Sequence, residues 1–229
     1  MPARSKTLPR ILAALEKLYG RPRPPAVTDP LEMILHENVA YLTDDDRRAR
    51  AWAAFRERIG TTPEKILAAP RAELVEIARA GILPAERVEK IREIASLAIE
   101  EFGGDLDRAL DERPADAKQI LKRFPSIGDP GAEKILLFSR REAVLALDSN
   151  GLRVLLRLGF GTEQKSYAAS YRSAQSAAME ELETGFDGLI RAHQLLRRHG
   201  QELCRRTHPR CDACPLRRDC PYARGLEGR

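Results

Sequence analysis

The sequence predicts an all-α protein. Apolar residues recur at helical spacing in nearly every segment, strand-like alternation is almost absent, and the connections between periodic stretches are short. Short connections favour one compact protein over a string of modules. Helices are expected over 6–19, 30–42, 44–58, 62–69, 71–80, 84–102, 105–112, 116–123, 130–140, 149–158, 166–184 and 186–199. Asp29-Pro30, Thr62-Pro63-Glu64 and Asp129-Pro130 each put a proline in a first turn, where its missing N–H is harmless. Gly20, Gly60, Gly81 and Gly159 stand where helices should stop. Pro22, Pro24 and Pro25 mark a linker after the first helix. "AVLALD" at 143–148 is the one short strand candidate.

At 229 residues the chain can bury a substantial core. No apolar run reaches transmembrane length and no signal peptide is evident, so no membrane role is expected. Cysteine is confined to one motif, which fits a reducing cytoplasm. The net charge of +5 and pI near 9.2 only weakly favour an anionic partner. Its distribution says more: from Cys204 onward seven arginines face three acids.

That stretch holds all four cysteines, as Cys204-x6-Cys211-x2-Cys214-x5-Cys220. Zinc favours two CxxC pairs, and only one is present. A 4Fe–4S cluster tolerates uneven spacing, because each thiolate binds a different corner. Disulfides or free thiols are the alternative.

Residues 116–140 read as a helix ending near Phe124, a turn Pro125-Ser126-Ile127-Gly128-Asp129-Pro130, and a second apolar helix. A glycine lets the turn's amides approach a ligand, and the second helix points its N-terminus there, which suits a phosphate. An ordinary αα-hairpin reads the same way. Asp148 follows Gly128 by twenty residues in "LALDSNGLRVLLRLGF" and by itself reads equally as a helix N-cap.

The hairpin, the Asp148 segment with Asn150, Arg153 and Val154, and the cysteine loop occur together in that order. From about Asp29 to Cys220 the chain resembles the helix–hairpin–helix DNA glycosylases of the endonuclease III type. The resemblance implies two helical lobes with DNA between them. One is a barrel of residues 27–142 that includes the hairpin; the other joins 1–26 to 143–229 and carries a 4Fe–4S cluster. It also implies a monomer, cytoplasmic and nucleoid-associated, acting on double-stranded DNA that contains a lesion or mismatch. In such an enzyme Asp148 would stabilise the oxocarbenium-like sugar or orient a water toward it. The base must be flipped out first.

Bifunctional members carry a lysine where this chain has Pro130, and Ser126 replaces the first hairpin glycine. Lys134 is the nearest other amine. The resemblance therefore favours a monofunctional glycosylase; a lyase using another lysine and a non-catalytic DNA-damage-binding protein are the alternatives. Glu37, seven residues after Pro30, matches the acid of adenine glycosylases. Met33, Ile34 and Tyr41 on its side of the helix are expected to desolvate it and raise its pKa. Tyr41 or Leu42 is expected to fill the gap left by the flipped base. Ser126, Ile127, Gly128, Asn150, Arg153, Arg205 and Arg206 are the expected DNA contacts, with Lys122, Arg123, Arg140, Arg141, Arg157 and Arg210 as further cations for phosphate.

Overall fold

A computed structural model describes residues 7–183 and 185–227. Lys6, the predicted first residue of the first helix, and Thr184, the predicted last residue of the eleventh, lie outside these. The chain is all-helical among the described residues and divides into two compact units, Ala26–Ser139 and Met1–Pro25 with Arg140–Arg229.

The unit Ala26–Ser139 holds α2 (Pro30–Val39), α3 (Asp45–Arg58), α4 (Pro63–Ala68), α5 (Arg71–Ala78), α6 (Pro84–Phe102), α7 (Leu106–Glu112), α8 (Ala117–Leu121) and α9 (Asp129–Phe138). Local chemistry sets the helix starts. Asp29, Asp44 and Asp105 accept from Glu32, Arg47 and Arg108 backbone N–H at 2.8, 2.8 and 2.9 Å, and prolines open α2, α4 and α6. Helix α6 lies at the centre and packs against α2, α4 and α5. Ile34, Phe55, Ile91, Ile94 and Leu121 are almost fully enclosed. Each such side chain contributes about 1.5–3 kcal/mol when buried.

The other unit holds α1 (Leu8–Tyr19), α10 (Ser149–Leu158), α11 (Tyr167–Met179), α12 (Phe186–Glu202) and α13 (Pro221–Glu227), with 3-10 turns at Cys211–Ala213 and Arg217–Asp219. Helix α12 is the spine, with α10 along one side and α1 along another.

Three expectations are corrected. The strand candidate 143–148 is extended but lies in no sheet among the described residues. Side chains satisfy its backbone instead: Tyr171 Oη accepts from Leu147 N–H at 3.1 Å, Gln175 Nε2 donates to Leu145 O at 2.9 Å, and His193 Nδ1 pairs with Ala146 O at 2.8 Å. Helix α2 stops at Val39 rather than 42: Ala40 leaves helical geometry at φ −137° and ψ 82°, and Tyr41 O beyond it accepts from Ile82 N–H at 3.0 Å. Gly20, Gly60 and Gly159 do end helices with positive φ, whereas Gly81 is needed for space: a Cβ there would stand 2.5 Å from the backbone N and O of Tyr41.

Candidate functional site

In the unit Ala26–Ser139, helices α8 and α9 form the expected hairpin. Phe124 and Ile127 anchor the turn by burial, and Ile127 N–H donates to Phe124 O at 3.2 Å. Gly128 is not the residue that needs special backbone: its φ of −101° and ψ of −171° are extended and open to any residue. The left-handed residue is Ser126, at φ +68°. Helix α9 begins at Asp129 with Pro130 in its first turn. Asp129 pairs with Lys122 at 2.9 Å, and Arg123 pairs with Glu101. Exposed pairs of this kind are worth at most about 1 kcal/mol, so a phosphate can displace them.

Glu37 occupies the middle of a charged cluster. Lys134 on α9 contacts its Oε1, and Arg48 Nη1 lies 3.6 Å from Oε2. The expected rise in its pKa is reversed. Burial does push the carboxyl up, but Lys134, then Arg48 and His36, outweigh it and hold Glu37 down at about 2. No pattern around Glu37 in the sequence reports the cations that face it from α3 and α9. His36 beside it is pushed down to about 4, chiefly by burial, and its ring meets Trp52 edge-on at 5.5 Å.

Tyr41 and Leu42 part company. The Arg87 guanidinium covers the Tyr41 ring at 3.6 Å, whereas Leu42 is 66% exposed at φ +52°. Ile82, whose N–H donates to Tyr41 O, and the adjoining Leu83 are also exposed. The sequence reading missed these two because an apolar pair just before a helix looks like core.

In the other unit, Asp148 caps α10. Its Oδ1 accepts from Gly151 N–H at 2.7 Å, and its Oδ2 from Asn150 Nδ2 at 3.0 Å, with Arg197 Nε at 3.5 Å. The carboxylate is thus fixed in orientation and remains 28% exposed. Tyr167, 51% exposed, was not foreseen. Its hydroxyl pKa is raised, first by burial and then by the charge of Asp148.

Arg153 does not stand ready for a phosphate. Its Nε donates to Cys204 O at 2.9 Å, and its Nη2 to Gly200 O and Asn150 Oδ1, both at 2.8 Å. It is an internal strut from α10 to α12 and the cysteine loop. Arg157 has the same use, donating to Arg205 O at 2.7 Å and lying 3.4 Å from Cys204 Sγ. Its ring contact with Tyr222 is 4.2 Å. The Arg205 and Arg206 side chains are exposed on the loop surface.

Cys204, Cys211, Cys214 and Cys220 line one pocket, together with the apolar side chains of Val154, Leu158 and Leu216. None is in a disulfide. Cys211, Cys214 and Cys220 all have raised pKa values, Cys214 to about 11, first from burial and also from the neighbouring thiolates. Thiolates gathered this way need a compensating cation, and sulfurs set around a space suit a multi-metal centre. Among the described residues no three His, Cys, Asp or Glu side chains are placed to hold a single metal ion.

Residues 41–180 match the model of the HhH-GPD superfamily base excision DNA repair proteins. The chain belongs to this superfamily. Curated relatives include endonuclease III of Thermotoga maritima, 22% identical over 203 residues that cover 89% of this chain and 88% of the relative. Endonuclease III of Sulfolobus acidocaldarius is 27% identical over 195 residues, covering 84% and 80%. Among solved structures, a trapped endonuclease III–DNA covalent intermediate superimposes with a TM-score of 0.75 at 20% identity, covering 97% of this chain and 99% of the other. A thermostable thymine-DNA glycosylase gives 0.73 at 17% identity, covering 95% and 97%. The fold of this HhH-GPD protein is therefore the all-helical one of endonuclease III. The hairpin and Asp148 both fall inside the matched span, and the cysteine loop follows it.

Proposed function

We propose that this HhH-GPD protein is a monofunctional DNA N-glycosylase that hydrolyses the bond between a flipped, damaged or mismatched base and its sugar. One observation carries the reaction type. Helix α9 carries Pro130, which has no amine, in its first turn, and the next amine along it, Lys134, is engaged by Glu37. With the amine of α9 engaged in this way, the attacking group is water. Asp148, fixed by Gly151 and Asn150, is the carboxylate that faces the positive charge building on the sugar. Glu37 serves as an anion that holds Lys134 rather than as the acid. The hairpin amides of Ser126 and Gly128 grip a phosphate while Ile127 anchors the turn beneath them, Arg205 and Arg206 add non-specific attraction, and Leu42 fills the opened stack. Cys204, Cys211, Cys214 and Cys220 hold a 4Fe–4S cluster whose contribution is to cross-link and stiffen the loop. The protein acts as a monomer in the cytoplasm; among the described residues no helix is long and apolar enough to cross a membrane.

The second reading is a lyase that uses Lys134, favoured by the names of the endonuclease III relatives. One experiment decides. The protein is incubated with duplexes carrying different lesions and mismatches, and products are read with and without alkali and after borohydride. Base removal that leaves an intact strand, cut only by alkali, with no trapped adduct, is expected. Efficient trapping lost in Lys134→Ala overturns the monofunctional reading.

A further inference from the structure

Arg87, on the first turn of α6, is 5% exposed. Burying a guanidinium is costly unless its charge and donors are compensated, and here compensation is incomplete. Nη1 donates to Ser126 Oγ at 3.2 Å and to Asn38 Oδ1 at 3.5 Å, the group lies over the Tyr41 ring, and Nε is buried with no hydrogen-bond partner. An apolar side chain would fill this space at lower cost. The arginine is distinguished by what it joins.

It joins two separate surface features. On one side is the hairpin turn, where the left-handed Ser126 also receives Lys90 at 3.5 Å. On the other is the apolar edge of Leu42, Ile82 and Leu83, tied together by the Ile82 N–H bond to Tyr41 O at 3.0 Å. Leu42 and Leu83 are left-handed too, at φ +52° and +55°. Side-chain-bearing residues adopt that conformation only where their surroundings impose it. Three of them lie on the segments that meet at Arg87.

We propose that Arg87 is a positioning residue that fixes the separation between the phosphate-gripping turn and the apolar edge, so that backbone contact and filling of an opened base stack occur in register. The inference rests on the proposed DNA-repair reading for its ligand, duplex DNA.

The test compares affinities for two duplexes of one sequence, one intact and one carrying a tetrahydrofuran abasic analogue. Arg87→Met keeps the bulk without the charge; Arg87→Lys keeps the charge without the planar fork. Each is expected to reduce the preference for the abasic duplex about tenfold, the scale of one hydrogen bond to a charged group. Adding Ser126→Ala to Arg87→Met should cost less than the sum of the two single losses, because the two residues share a bond. A general loss of structure lowers both affinities together and leaves their ratio unchanged. An unchanged ratio in both Arg87 variants, or additive losses in the double variant, overturns the proposal; the lysine variant serves if the methionine one does not fold. Arg87-dependent preference in a protein that removes no base would sink the glycosylase reading alone. An active glycosylase whose preference ignores Arg87 would sink this inference alone.

Discussion

Replacing Glu37 by Gln separates an acid from an anion. In the structure the carboxylate is held by Lys134 and Arg48, and its pKa stands at about 2 against an ordinary 4.5. At about 1.4 kcal/mol for each tenfold change in proton affinity, that difference sets a ceiling of about 3 kcal/mol on what the ionised group adds to stability. The side chain is 32% exposed, so solvent screening reduces this to roughly 1–2 kcal/mol. The sign follows from the depressed value. The stabilisation is fully present above pH 4.5, and is lost as pH falls toward 2. Urea unfolding of the wild type and Glu37→Gln should therefore show the same gap at pH 8, 7 and 5. Their base-removal profiles should have the same shape over that range, whatever the absolute rates. A gap that shrinks between pH 8 and 5, or a kinetic limb in that window that vanishes in the variant, would refute the reasoning. Glu37 would then be protonated at working pH and fit to donate to the leaving base.

Other outcomes can be checked directly. Asp148→Asn should keep the α10 cap, since Asn also caps well, yet slow base removal by about 100-fold or more; full activity would leave Asp148 with the cap alone. Gly200→Ala would put a Cβ 2.7 Å from Asn150 Cβ and 2.8 Å from Asn150 O, forcing α10 and α12 apart; a loss of about 1–3 kcal/mol in urea unfolding is expected. Cys214→Ser should lower the iron content from about four per chain and destabilise the loop, while one zinc and no sulfide in the wild type would exclude the cluster. Reversing charge at Arg205 and Arg206 should weaken binding to intact and abasic duplexes alike and flatten the salt dependence; an effect on abasic DNA only would make them readers of the site.

Helix positions were legible where one residue type decides them. Asp29, Asp44 and Pro84 mark starts that the structure keeps, because a cap or a fixed φ acts within a few residues. The end of α2 was not, since the loop beyond it is tied to Ile82, about forty residues on. The same distance in sequence explains the site. Asp148 and Asn150 were found together because their contact is local. The state of Glu37 was misjudged because its partners come from α3 and α9, and no pattern in 30–42 reports them. Arg153 looked like any exposed cation. Only Cys204 O and Gly200 O, supplied by the far end of α12 and the loop after it, show that it faces inward.

The extended segment before Asp148 has a wider consequence. Its path is specified by Tyr171, Gln175 and His193, which lie two and three helices downstream, on α11 and α12. A tyrosine hydroxyl lost by Tyr171→Phe would strand the N–H of Leu147 and loosen the aim of the carboxylate that follows it. Substitutions that tune or disable Asp148 can therefore accumulate in α11 and α12 while "LALDSN" stays intact. In a lineage of such proteins, preservation of that short stretch is no guarantee of preserved activity. Drift in the distant supports would be the earlier sign of a protein losing its trade.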